Sequence, residues 1–162
     1  MMEKFIDQLN QANNFNDIFR IVKKVVQIKL GEHRSGLSLI LLELPSYIGA
    51  FHQIGSNSIV MNKTILNAMA LLTKSKVEFN SYIFNILLHE YLHSLGHIRE
   101  EEVNFLIKEI TEFAFGPDHI ATKMVNKSLF ELYPELTYLG FKKSGELEIV
   151  KDFDIDDVTY IK

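Results

Sequence analysis

The 162-residue chain contains no cysteine. That absence excludes disulfide scaffolds, Cys-ligated zinc, iron–sulfur clusters and thiol nucleophiles together. Any metal site must therefore be built from histidines and carboxylates. A basic excess is missing too: 17 Lys and Arg stand against 21 Asp and Glu, a formal net charge of -4. A dedicated nucleic-acid binder would show a basic face, so no nucleic-acid partner is expected. Long hydrophobic runs are also lacking. The greasiest, Leu37 to Leu44, is too short to span a bilayer and runs into Pro45. The opening MMEKFIDQLNQANNF has neither the basic stretch nor the continuous apolar run of a signal peptide. The expectation is a cytoplasmic protein with no membrane partner. Without repeats, low-complexity tracts or linkers, residues 1–162 read as one domain.

What is present suits an ordinary globular core, 47% hydrophobic and 23% charged. Residues 3–10 suggest a short helix. A firmer one runs from Asn14 to Leu30, where Phe15, Ile18, Phe19, Val22, Val25, Val26 and Ile28 recur near helical spacing and Gly31 follows. GEHRSG reads as a turn and Leu37–Leu44 as a buried strand. Tyr47–Gln53 and Ser58–Met61 flank Gly55-Ser56-Asn57 as a β-hairpin, near a sheet edge given Pro45 and Gly49. Thr64 is placed to cap a helix to about Leu72, and Asn80 or Ser81 to cap one running to Leu95. The latter is apolar almost all round and so belongs at the centre of the domain. Gly96 stops it. A further helix is predicted from Glu100 to Phe115, halted by Gly116-Pro117, and another over His119–Lys127 capped by Asp118. Leu147–Val150 reads as a strand and the DFDIDD stretch as a solvated acidic end. The whole predicts an α+β fold: a small mixed or antiparallel sheet with an edge hairpin, packed on a central helix and flanked by others.

The central helix carries His89-Glu90-Tyr91-Leu92-His93. Histidines four apart project from one helical face, one turn above the other, and two such imidazoles can share a Zn²⁺ ion. Glu90 is rotated away from the first ligand positions yet reaches a water in the open one, as a general base requires. These three ionisable groups sit mid-helix among large apolar residues, where unpartnered polar groups cost several kcal/mol. A metal and its water would offset that cost.

The extended motif, His89-Glu90-x-x-His93-x-x-Gly96-His97-x-x-Glu100, resembles the zincin superfamily of metallopeptidases. Its beginning is similar to the HExxHxxG of metzincins, whose third histidine would fall on Arg99. His97 would lie about 12 Å along an unbroken helix from His89, too far to share an ion. It reads as a bystander or a support for a ligand. If the Glu100 helix turns back along the first, its opening turn lies closest to His93, which is the gluzincin arrangement. Glu100-x-x-Val103-Asn104-x-Leu106 is similar to the segment that supplies the third ligand in ImmA/IrrE-type metallopeptidases. At least two of Glu100, Glu101 and Glu102 are expected only to complement the helix dipole. Two third-ligand candidates stay open, Glu100 and His119. GSNSIVMNK, SYIFNILLHEYLHSLGH and FGPDHIATKM also look like a group of small archaeal HExxH proteins.

The resemblance implies a zincin-like fold and a zinc metallopeptidase acting on a peptide or protein, with Glu90 as catalytic base and His89, His93 and a third group on the metal. Ser58–Met61 is the candidate edge strand for aligning substrate, and tyrosines 47, 82, 91 and 138, or a histidine off the metal such as His119, are candidates to stabilise the oxyanion. The other reading is a zincin-fold regulatory or interaction module whose zinc is structural or whose cleavage is vestigial. The acidic end, with Asp152, Asp154, Asp156 and Asp157, offers a further idea: a carboxylate that folds back onto the metal.

Overall fold

A computed structural model describes residues 1–139 and 146–155. The chain opens with two helices, α1 (Met2–Gln11) and α2 (Phe15–Leu30). Asn14 caps α2 by accepting from the Asp17 amide at 2.8 Å. Gly31 ends it in the left-handed region, at φ 71°, where a side chain would be strained. Strands β1 (Ser38–Leu42), β2 (Ala50–His52) and β3 (Ser58–Asn62) follow, then helices α3 (Lys63–Leu72), α4 (Lys76–Ser94), α5 (Glu100–Phe115), α6 (Ile120–Val125) and α7 (Leu129–Leu132). A 3₁₀ turn at Pro134–Tyr138 and the short β4 (Glu148–Ile149) close the described chain. The architecture is α+β.

The strands form one mixed four-stranded sheet in the order β2-β3-β1-β4. β3 runs parallel to β1, while β2 and β4 pair antiparallel with β3 and β1. The expected hairpin is present, but its second strand is interior. Among the described residues β2, not Ser58–Met61, is the edge strand on that side. β1 is not buried on both faces either: Leu39 and Leu41 are buried, whereas Ile40 and Leu42 are half-covered.

α4 is the hub. It packs against α1, α2, α5, α6 and the β2 edge, and Leu87, Leu88 and Leu92 are fully excluded from water. Each such leucine contributes about 2 kcal/mol relative to an exposed one. The helix begins earlier than expected, at Lys76, because Ser75 accepts from the Glu78 amide at 3.1 Å. Asn80 does not cap it; its Nδ2 donates to the Leu9 and Ala12 carbonyls, tying α4 to the end of α1. Likewise Asn62, not Thr64, caps α3, and the same buried amide donates to the Leu44, Pro45 and Ile48 carbonyls. α6 is capped by His119 in place of Asp118.

The acidic end is only partly solvated. Phe153 is buried and stacks on Phe19 with ring centres 4.3 Å apart. Asp154 pairs with Lys23 in the interior and accepts from the Leu37 amide at 2.9 Å. Its carboxylate is thus committed to α2 and the start of the sheet. Asp156 and Asp157 lie outside the described residues. No helix among the described residues is long and apolar enough to cross a membrane.

Candidate metal centre

His89 and His93 lie on one face of α4 with ring centres 5.0 Å apart. α4 ends at Ser94 with Leu95 as its C-cap, and Gly96 then takes a φ of 105° while its amide donates to the His93 carbonyl at 3.0 Å. The chain then reverses, and α5 packs back along α4. This brings Glu100, the first residue of α5, across both imidazoles. Its Oε1 lies 2.6 Å from His93 Nε2 and its Oε2 lies 3.1 Å from His89 Nε2. Among the described residues, His89, His93 and Glu100 are the group whose potential ligand atoms converge, all within 4.8 Å of one another.

The protons on His93 sharpen the meaning of this cluster. Its Nδ1 lies 2.8 Å from the His97 carbonyl oxygen. A carbonyl only accepts, so Nδ1 carries the hydrogen and Nε2 of the neutral ring is a bare lone pair. That lone pair faces a carboxylate oxygen. Two acceptors so close require a proton or a cation between them. Two imidazole nitrogens and a carboxylate are the donor set of a first-row divalent ion, so the residues present fit one. A carbonyl that fixes the tautomer of a ligating histidine is part of such a design. Burial lowers the pKa of His89, against the attraction of Glu100, and so favours the neutral ring that ligation needs.

Glu90 is only 6% exposed. Burial, reinforced by the negative charge of Glu100 and opposed by His93, raises its pKa to about 7. It is a carboxyl poised to exchange a proton near neutrality.

The acidic start of α5 divides its tasks. Glu101 pairs with Arg99 at 3.1 Å, and Glu102 faces His97 Nδ1 at 3.3 Å. His97 also bonds Glu32 through Nε2 at 2.7 Å. It therefore supports His93 through its carbonyl and is itself held by two carboxylates. His119, the alternative third ligand, is not brought to the cluster. It follows the far end of α5, a helix of 16 residues and so about 24 Å long. Its Nδ1 accepts from the Ala121 amide at 3.0 Å, and its ring stacks on Phe115.

Of the tyrosines, Tyr82 and Tyr91 are buried, and the Tyr91 hydroxyl accepts from the Arg34 amide at 2.9 Å. Neither offers a hydroxyl to a ligand at the surface. Tyr47 and Tyr138 are exposed. Sequence reasoning missed Arg34, which lies in the segment read only as a turn. Its guanidinium donates to the Ser94 carbonyl at 2.7 Å, the Ser56 carbonyl at 2.9 Å and Asn57 Oδ1 at 2.8 Å. It clamps the end of α4 to the hairpin turn. Its partners are distant in sequence, so no local pattern could have marked it. His52 on the β2 edge was missed as well; its Nδ1 donates to the Ser58 carbonyl at 3.0 Å, and burial lowers its pKa.

Comparisons with protein-family models, with curated proteins and with solved structures find no match to this chain.

Proposed function

We propose that the protein is a zincin-type zinc metallopeptidase of the gluzincin kind, with His89, His93 and Glu100 as metal ligands and Glu90 as the catalytic base. The observation that carries this reading is the convergence of His89, His93 and Glu100 within 4.8 Å, beside the buried carboxyl of Glu90. Three protein donors leave a coordination position open, as catalysis requires, whereas a closed structural site uses four.

When bound, zinc supplies a Lewis acid that lowers the pKa of a water toward neutrality. The chain's own residues do the rest. The His97 carbonyl holds the His93 ring in register, and α5 holds Glu100 across both histidines. Glu90 accepts the proton of the water that adds to the peptide carbonyl, then delivers it to the departing amine as the C–N bond breaks. The extended substrate lies along β2, the edge strand on that side of the sheet among the described residues.

Zinc analysis and a peptide-cleavage assay test this reading together. One zinc per chain is expected, with cleavage abolished by chelation and restored by added zinc. Glu90→Gln should keep the zinc and lose cleavage by about 10²-fold or more. A chain that takes up no zinc, or a Glu90→Gln variant that cleaves normally, would sink the proposal.

A further inference from the structure

Beside the cluster lies a cleft of about 500 Å³, a size suited to one or two residues of a bound peptide. It is walled by α4, α5 and the connection from α6 to α7, and His89 is one of its lining residues. Cleft and metal cluster therefore share a side chain. A larger groove of about 770 Å³ between α1 and α2 shares none.

The cleft has a chemical bias. Lys108 reaches it from α5 and Lys127 from the α6–α7 connection, on a different wall, while Glu131 is the carboxylate among the lining residues. Among the described residues neither lysine has an ion-pair partner. Two unpaired cations against one carboxylate leave an uncompensated positive charge, and a divalent ion on His89 would add to it. Asn85, one turn before His89, also lines the cleft. Its Nδ2 donates to the Ala121 carbonyl at 3.0 Å, which ties the α4 wall of the cleft to the start of α6.

We infer that this cleft binds a carboxylate of the peptide substrate close to the bond that is cut, with Lys108 and Lys127 as the specificity-determining residues. The inference rests on the peptidase reading above. The carboxylate is either an Asp or Glu side chain or the free C-terminus of a short peptide.

Labelled peptides of one length, carrying Glu, Gln or Lys at a single position and a free or amidated C-terminus, distinguish these sources. Binding to the zinc-loaded chain is read by fluorescence anisotropy and cleavage by mass spectrometry. A carboxylate-bearing peptide is expected to bind about tenfold more tightly than its neutral counterpart. An advantage that survives amidation assigns the side chain; one that vanishes with it assigns the chain end. The double variant Lys108→Glu/Lys127→Glu should turn the preference toward the lysine peptide while retaining one zinc per chain. The milder Lys108→Ala/Lys127→Ala should abolish the preference and guards against a folding defect. Equal affinity for all peptides, or a preference unmoved in both variants, overturns the inference. Cleavage without preference removes the cleft reading alone; preference in binding without cleavage overturns the peptidase reading and, with it, the substrate role of the cleft, leaving a carboxylate-binding cleft.

Discussion

At the scale of single residues, Glu100 and His119 separate two roles that looked interchangeable. Glu100 touches both histidines, so Glu100→Gln removes the anionic donor and should weaken zinc affinity at least about tenfold; competition with a calibrated chelator measures it. His119→Ala should leave zinc affinity unchanged and cost about 1 kcal/mol of stability through loss of the α6 cap, while His119→Asn keeps most of it. Burial lowers the pKa of His119 below its ordinary 6.5, so its folded form prefers the neutral ring. Protonating Nδ1 would also end its role as acceptor. Its contribution to stability is therefore full above pH 6.5 and fades as the pH falls. Denaturant unfolding of wild type and His119→Asn should show a gap that moves against the wild type from pH 7.5 to 5.5. A gap independent of pH would refute that assignment.

At the scale of elements, the turn between α4 and α5 sets the geometry of the centre. Gly96 sits at φ 105°, and an added Cβ would meet nothing within 4 Å. Gly96→Ala therefore costs backbone strain rather than a clash, about 1–2 kcal/mol. Relief of that strain would shift the start of α5 and, with it, Glu100. The expected result is a lower unfolding midpoint together with weaker zinc binding. Loss of stability with zinc affinity intact would show that the turn does not position the ligand. Much at this scale was legible in the sequence: Gly31, Gly96 and Gly116-Pro117 punctuate real helix ends, and Glu100 to Phe115 is a helix with the expected bounds. Caps were read less well, because Ser75, Asn62 and His119 compete with equally polar neighbours. Only packing decides which of them points along the helix axis.

At the scale of the whole molecule, the end of the described chain is a fastening. Phe153 stacks on Phe19, and Asp154 meets Lys23 in the interior. Removing one member of a buried ion pair costs roughly 3 kcal/mol, so Asp154→Ala should lower the thermal midpoint by several degrees, read by calorimetry. Truncation after Val150 should destabilise still more, and an active truncated chain of unchanged stability would contradict this. The sequence by itself determined the α+β composition, the central helix and the shared face of His89 and His93. Each of these follows from spacing within one segment, where helical geometry converts residue number into direction. Tertiary structure alone decided that β2 forms the edge and that Arg34 clamps α4 to the hairpin turn. It also decided that the Asp154 carboxylate meets Lys23 in the interior and that Glu100 rather than His119 joins the histidines. Those outcomes depend on how elements pack across many intervening residues, a distance that no local periodicity encodes.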